Sequence, residues 1–148
     1  MIAYVRLDAW DLPLFVHVLG AVVLFGGVAS VAILSFTAQR MPAQAEFARR
    51  TAFVTLLAVV WPAYIVMRVG AQWIFGKEDD LITGTPTWLA AGIAVGDGGA
   101  LVLIGLTVLG WLALRRRPSL GRYFAGLAGL YLLALGVAWW AMSAKPGA

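Results

Sequence analysis

The chain has 148 residues, of which 62% are hydrophobic and only 12% are charged, about half the charged share of a typical soluble domain. This number of charged side chains is too small to cover a globule in water, and the composition therefore favours a protein embedded in lipid. The length leaves room for one compact bundle without a second domain. Cysteine is absent, which excludes disulfides, iron–sulfur clusters, thiolate zinc sites and cysteine nucleophiles.

Four apolar segments, taken in chain order, are each long enough to cross a bilayer, which requires about 20 residues. They cover residues 12–37, 47–73, 86–114 and 119–143. Backbone groups in lipid must be hydrogen-bonded within their own segment, so each segment is predicted to be an α-helix. Pro62 lies inside the second segment and is expected to distort it. The predicted fold is all-α, a single four-helix transmembrane domain over residues 1–148.

Basic residues are concentrated in two of the three connecting loops. The first and third loops carry Arg40, Arg49, Arg50, Arg115, Arg116, Arg117 and Arg122. The second loop begins with the mostly acidic run 77–80. The positive-inside rule therefore predicts an inner-membrane protein with loops 1 and 3 in the cytoplasm and both termini outside. The net charge of +4 is interpreted as this topology signal, and no nucleic-acid partner is expected.

Small residues recur at spacings that bring helices together. They are Gly20 and Gly27 in the first span, Gly92 and Gly96 in the third, and Ala125 and Gly129 in the fourth. Such residues let helices approach closely in lipid, so we expect them to lie at helix–helix contacts. Gly20 and Gly27 have an alternative role, because they also leave space for a flat ligand beside His17.

Three of the predicted spans each contain one His, Arg or Asp residue in their outer half, namely His17, Arg68 and Asp97. At about 1.5 Å per residue, all three lie roughly 8–13 Å below the tryptophans that mark the outer interface. Ionisable groups at such depths either pair with each other or mark a functional site. One interpretation is structural: Arg68 and Asp97 neutralise each other in a buried cluster, and His17 hydrogen-bonds a neighbour. The other is a polar pocket for a ligand, a proton or a metal.

Two methionines are candidate metal or haem ligands beside His17. Met67 and Met142 fall near the same end of the predicted bundle, and one imidazole with two thioethers is a donor set that suits Cu(I). A His–Met pair also suits the axial positions of a haem such as haem b. Against this, methionine in an apolar helix usually serves packing, and the adjacent Met67 and Arg68 point about 100° apart.

Sequence motifs of common catalytic sites are missing. The chain contains no G-x-S-x-G, no phosphate-binding loop and no HExxH, so a serine hydrolase, a P-loop enzyme and a zinc protease are not indicated. A binding or accessory role is therefore expected rather than catalysis.

Residues 14–21 read Leu-Phe-Val-His-Val-Leu-Gly-Ala and lead to Phe25-Gly26-Gly27. This stretch resembles the opening helix of the DUF2269-type integral membrane proteins, which look related to the copper-resistance D membrane domain and to the four-helix protoporphyrinogen oxidases. The four spans, the arginine-containing first loop and the chain length agree with the resemblance, although its specific part is the first helix.

The resemblance implies a membrane location. Through the copper-resistance relatives it implies copper ligation by His17 and the methionines, and through the oxidase relatives it implies a haem or porphyrin contact at His17. Those oxidases use a lysine within the bundle, whereas Lys77 and Lys145 lie outside the predicted spans. Arg68 could replace that lysine as a propionate partner but not as a proton carrier, so this departure argues against the oxidase activity.

The sequence thus leads to a small-ligand-binding or accessory membrane subunit in the lipid bilayer, alone, as a homo-oligomer or within a larger membrane complex. The alternative is a haem- or copper-handling membrane protein that uses His17 as a ligand.

Overall fold

The computed structural model describes residues 11–78 and 87–144, and the regular structure within these ranges is helical. Helix α1 spans Asp11–Arg40, and α2 spans Ala45–Thr55. Helix α3 spans Trp61–Glu78, α4 spans Thr87–Arg115 and α5 spans Gly121–Ala144. Short 3-10 turns, Pro42–Gln44 and Pro118–Leu120, precede α2 and α5.

A π turn joins α2 to α3, so that the two form one continuous rod. The turn is Leu56–Val60, and the N–H of Trp61 donates to the carbonyl of Leu56, five residues earlier. It lies directly before Pro62, which has no N–H to donate and whose ring would crowd the carbonyl of Ala58 in a regular α-helix. A wider turn relieves that crowding. The distortion expected at Pro62 is thus a π turn on its N-terminal side.

Four helical segments are long and apolar enough to cross a membrane: Asp11–Arg40, Pro42–Gly76, Leu89–Arg115 and Pro118–Ala144. The prediction of an all-α, four-helix membrane protein is confirmed, and the predicted spans agree with these segments to within a few residues. Pro86, where the third span was expected to begin, lies outside the described residues, as does most of the second loop.

Helix α1 is the central element of the bundle. It packs on the α2–α3 rod and on α5, whereas α4 packs mainly on α5 and touches α2. The interior is formed by Leu24, Val28, Leu56, Leu103 and Leu106, all of which are essentially fully buried. Large apolar side chains such as Phe15, Leu101 and Leu133 point outward, which is the arrangement expected of a bundle surrounded by lipid tails.

The arginine-rich end of the bundle, defined by the C-terminus of α1, the start of α2 and the α4–α5 turn, is one of its two ends. The other end is formed by the start of α1, the end of α3, the start of α4 and the end of α5. We call the half of the bundle next to this second end the far half. It contains the candidate site.

Candidate functional site: a cavity in the far half of the bundle

A cavity of about 430 Å³ lies among α1, α3, α4 and α5 in the far half. Its volume falls within the range of about 300–1,000 Å³ that is typical of small-molecule sites. Most of its wall is apolar, with Leu24, Phe25 and Trp139 among the lining side chains, and His17 and Arg68 supply its charged or titratable groups. An apolar wall with a few convergent polar groups is the usual composition of a ligand site.

His17 is held by a hydrogen bond from its ring to α3. Its Nδ1 atom lies 3.0 Å from the carbonyl oxygen of Met67. A carbonyl can only accept, so Nδ1 carries the proton of this bond. In the neutral imidazole the other nitrogen, Nε2, then keeps its lone pair. The side chain is half-buried and lines the cavity.

Two glycines set the distance between α1 and α3 at this point. A Cβ added at Gly20 would lie 2.7 Å from the Cα of Met67, and one added at Gly70 would lie 2.7 Å from the Cα of His17. Real Cβ contacts are essentially never this short, so the two backbones touch only because both positions are glycine. This close approach brings the imidazole of His17 within hydrogen-bonding distance of the Met67 carbonyl. The sequence analysis did not identify Gly70 as a packing residue. A usable signal was present, because Gly70 follows Met67 by three residues just as Gly20 follows His17 by three.

Arg68 and Asp97 form an ion pair between Nη2 and Oδ1 that joins α3 to α4. Arg68 and Asp97 pair with each other, as the structural interpretation expected. The pair is not buried as expected, because the Asp97 side chain is 56% exposed and that of Arg68 is 26% exposed. Asp97 lies on the outer side of α4, whereas Arg68 reaches it from the wall of the cavity. His17 bonds to Met67 rather than to either of these residues, so the three groups share a level of the bundle without forming one network.

Side chains rather than close backbone packing connect α3 to α4. Tyr64 donates a hydrogen bond of 2.8 Å to the carbonyl of Gly96, and the indole of Trp61 donates one of 3.0 Å to the hydroxyl of Thr107. Together with Arg68, these residues lie at positions 61, 64 and 68, which share one face of a helix. We call this row of three bridges the α3–α4 seam. Sequence reasoning found only Arg68, yet the spacing of three polar side chains on one face was a usable signal.

The two methionines differ in what they contact. Met67 is buried beside Gly20, and Met142 packs its methyl group into the space that Gly92 leaves on α4. Both line the cavity. Within residues 11–78 and 87–144, no three His, Cys, Asp or Glu side chains are grouped so as to hold a metal ion. Any metal at this site would therefore depend on the imidazole and the two thioethers.

The remaining small residues pack in different ways. Gly27 faces Val60 of the π turn, Gly96 faces the guanidinium of Arg68, and Gly129 faces the ring of Phe36, while Ala125 is fully buried. Gly92 and Gly96 therefore receive side chains from α5 and α3 rather than the backbone of a neighbouring helix. Both glycines also line the cavity, and they form part of its wall on the α4 side.

No protein-family model, curated protein or solved structure matches this chain. The resemblance of residues 14–27 therefore stays an expectation, and the function has to be argued from the cavity and the groups in its wall.

Proposed function

We propose that this protein is a membrane-embedded binding subunit that holds a small amphipathic molecule in the cavity of the far half. The observation that carries the proposal is the cavity itself: about 430 Å³ of space with an apolar wall, into which His17 and Arg68 project. An apolar body would fill the space, and a polar head would bond to these two groups.

The charge balance of the site favours a neutral polar head. Asp97 already neutralises the guanidinium of Arg68, so an anionic ligand would add an uncompensated charge in a poorly solvated place. Arg68 keeps further N–H groups that can donate to a carbonyl or hydroxyl oxygen, and Nε2 of His17 can accept from a hydroxyl. The ligand is then a neutral molecule that carries both an acceptor and a donor, as a phenol or a hydroquinone does.

Binding of 1-naphthol to the purified protein in detergent tests this proposal. We expect saturable binding of 1-naphthol, and much weaker binding both of 1-naphthoate, which carries a charge, and of naphthalene, which lacks the polar group. The variant Ala138→Phe fills the cavity wall, whereas Val137→Phe alters the neighbouring residue, which is 59% exposed and points away from the core. Loss of binding in Ala138→Phe alone supports the cavity, and equal binding by all three proteins would contradict it.

Two substitutions of His17 separate its bond to α3 from its contact with a ligand. In His17→Asn the amide nitrogen takes the place of Nδ1 and can still donate to Met67, but nothing replaces Nε2. In His17→Gln the amide lies nearer the position of Nε2. We expect His17→Asn to keep the stability of the wild type and lose 1-naphthol binding, and His17→Gln to lose stability. Unchanged binding in a folded His17→Asn variant would remove His17 from the site.

Haem or copper binding is the second candidate, and the bond of His17 favours it. Histidines that ligate metals usually donate their other N–H to a carbonyl or a carboxylate, as His17 does to Met67. Met67 and Met142 line the same cavity, so the donor set present fits Cu(I), or a haem iron with one imidazole and one thioether.

An absorption spectrum and elemental analysis of the purified protein test this second candidate. A Soret band would indicate haem, and copper at one atom per chain without that band would indicate a copper site. Either signal should disappear in His17→Asn while the folded yield stays equal. The absence of both signals from wild-type protein expressed with haem precursor and copper would leave only the amphipathic ligand.

We further propose an orientation in the inner membrane, supported by the arginines of loops 1 and 3. These loops lie in the cytoplasm, both termini lie outside, and the cavity is in the outer half of the bilayer. The protein acts alone, as a homo-oligomer or in a larger membrane complex, and a binding role rather than catalysis suits each of these arrangements.

A further inference from the structure

The arginine-rich end carries far more positive than negative charge. Its arginines are Arg40, Arg49, Arg50, Arg115, Arg116, Arg117 and Arg122, and Glu46 is its one carboxylate among residues 11–78 and 87–144. Among residues 11–78 and 87–144 the structure shows one ion pair, that of Arg68 with Asp97. The arginines of the arginine-rich end therefore have no carboxylate partner within these residues. Unpaired guanidinium groups at the edge of a membrane attract anionic headgroups.

Arg40 lies at one end of a surface groove. The groove is lined by Ile33, Phe36, Thr37 and Arg40 of α1 and by Met41, which follows the helix. The four helical residues are spaced so that they lie along one face of α1. The ring of Phe36 also rests against Gly129 of α5.

The groove combines an apolar length with a charged end. Ile33 is 66% exposed, and Phe36 and Met41 are exposed as well. Arg40 is the last residue of α1, seven residues beyond Ile33, so the apolar part extends about 10 Å below the level of the guanidinium. That length reaches well into one leaflet, whose hydrocarbon is about 15 Å deep.

We propose that this groove is a binding site for an anionic phospholipid. The phosphate pairs with Arg40, and an acyl chain lies along Ile33 and Phe36. A free phosphate ion would use the guanidinium but not the apolar length. A zwitterionic phospholipid would use the apolar length but carries an ammonium group into a field set by seven arginines. The anionic lipid satisfies both parts of the site. The proposal does not depend on what the cavity in the far half binds.

The proposal is tested by native mass spectrometry of the protein in a mild detergent, with phosphatidylglycerol and phosphatidylcholine of identical acyl chains as the probes. The wild type should retain phosphatidylglycerol more strongly, and added salt should weaken that preference. Arg40→Gln should reduce retention of phosphatidylglycerol by about five-fold, the effect of about one arginine at a membrane surface. Ile33→Ser should reduce retention of both lipids.

Arg122→Gln is the matched control. It removes the same charge from the same end of the bundle, but Arg122 lies against the ring of Tyr123 and donates a 2.8 Å hydrogen bond to its hydroxyl. We expect Arg122→Gln to retain phosphatidylglycerol as the wild type does. An equal loss in Arg40→Gln and Arg122→Gln would show a diffuse charge effect and overturn the groove as a site. Equal retention of the two lipids by the wild type would overturn it as well. Arg40 is exposed, and circular dichroism verifies that each variant is folded.

Discussion

Tyr64 and Tyr131 bring two phenol groups to the same stretch of α4, near Gly96 and Gly99. The hydroxyl of Tyr64 donates to the carbonyl of Gly96. The hydroxyl of Tyr131 is buried against Gly99 and has no hydrogen-bond partner within the described residues. The two tyrosines therefore differ in what their hydroxyl groups contribute, because a buried polar group without a partner costs free energy that a paired one does not.

Removal of each hydroxyl should therefore have opposite effects on stability. Tyr64→Phe is expected to lower the free energy of unfolding by about 0.5–1.5 kcal/mol, and Tyr131→Phe to leave it unchanged or raise it by about 1 kcal/mol. Unfolding in mixed micelles with increasing sodium dodecyl sulfate measures both values. A comparable loss in the two variants would mean that the Tyr131 hydroxyl is paired in the protein, for example with a buried water.

The Arg68–Asp97 pair is predicted to be coupled, but less strongly than a buried ion pair of a soluble protein. Losing one partner of a fully buried pair there costs about 3–5 kcal/mol. In a bilayer the unfolded chain also finds partners for its polar groups, so we expect a coupling of about 1–2 kcal/mol in a double-mutant cycle of Arg68→Gln and Asp97→Asn.

A second cycle gives the control for this coupling. Glu46 lies at the arginine-rich end, the opposite end of the bundle from Arg68, and is exposed. Arg68→Gln combined with Glu46→Gln should therefore give additive losses. If the cycle with Asp97 is additive too, the ion pair contributes nothing measurable to the stability of the bundle.

At the scale of helices, hydropathy and length were enough to predict four spans, whose ends differ from those of the apolar helical segments in the structure by up to five residues. The side-chain contacts of the candidate site were harder to predict from the sequence, because they depend on which helices become neighbours. Nothing local to His17 indicates that its partner is the carbonyl of Met67, fifty residues away. Asp97 was expected inside the bundle because charge in lipid is costly, yet it lies on the outer side of α4, where the long Arg68 side chain reaches it.

The contact between α1 and α3 predicts different responses of two glycines in one helix. A Cβ at Gly20 would meet the backbone of Met67, which cannot move aside, whereas a Cβ at Gly26 would have no neighbour within 4 Å. Gly20→Ala is expected to destabilise the bundle by about 1–3 kcal/mol through overpacking. Gly26→Ala should be neutral or stabilising by up to about 1 kcal/mol, because alanine favours the helix.

Both glycine variants are measured by the same unfolding titration, and 1-naphthol binding is measured beside it. Because the α1–α3 contact positions the imidazole of His17, Gly20→Ala should also weaken 1-naphthol binding while Gly26→Ala should not. Equal stability of the two variants would show that α1 and α3 are not in backbone contact.

At the scale of the whole molecule, the charge of the loops predicts how the bundle is oriented in the membrane. A reporter enzyme that is active only in the cytoplasm should be inactive when fused after Ala148. The same reporter inserted at Arg116 should be active. The reverse pattern would move the cavity to the cytoplasmic half and the arginine-rich end to the outside.

The π turn sets how far α3 is rotated about the helix axis relative to α2. A single π turn contains one residue more than the α-helical path, and one residue corresponds to a rotation of about 100° about the helix axis. Deletion of one residue within Leu56–Val60 would remove the extra residue and rotate α3 relative to α2 by that angle. Trp61, Tyr64 and Arg68 would then face away from α4, although none of them had been changed. The length of this five-residue segment, more than the identity of its side chains, is therefore what keeps the α3–α4 seam in register with the rest of the bundle.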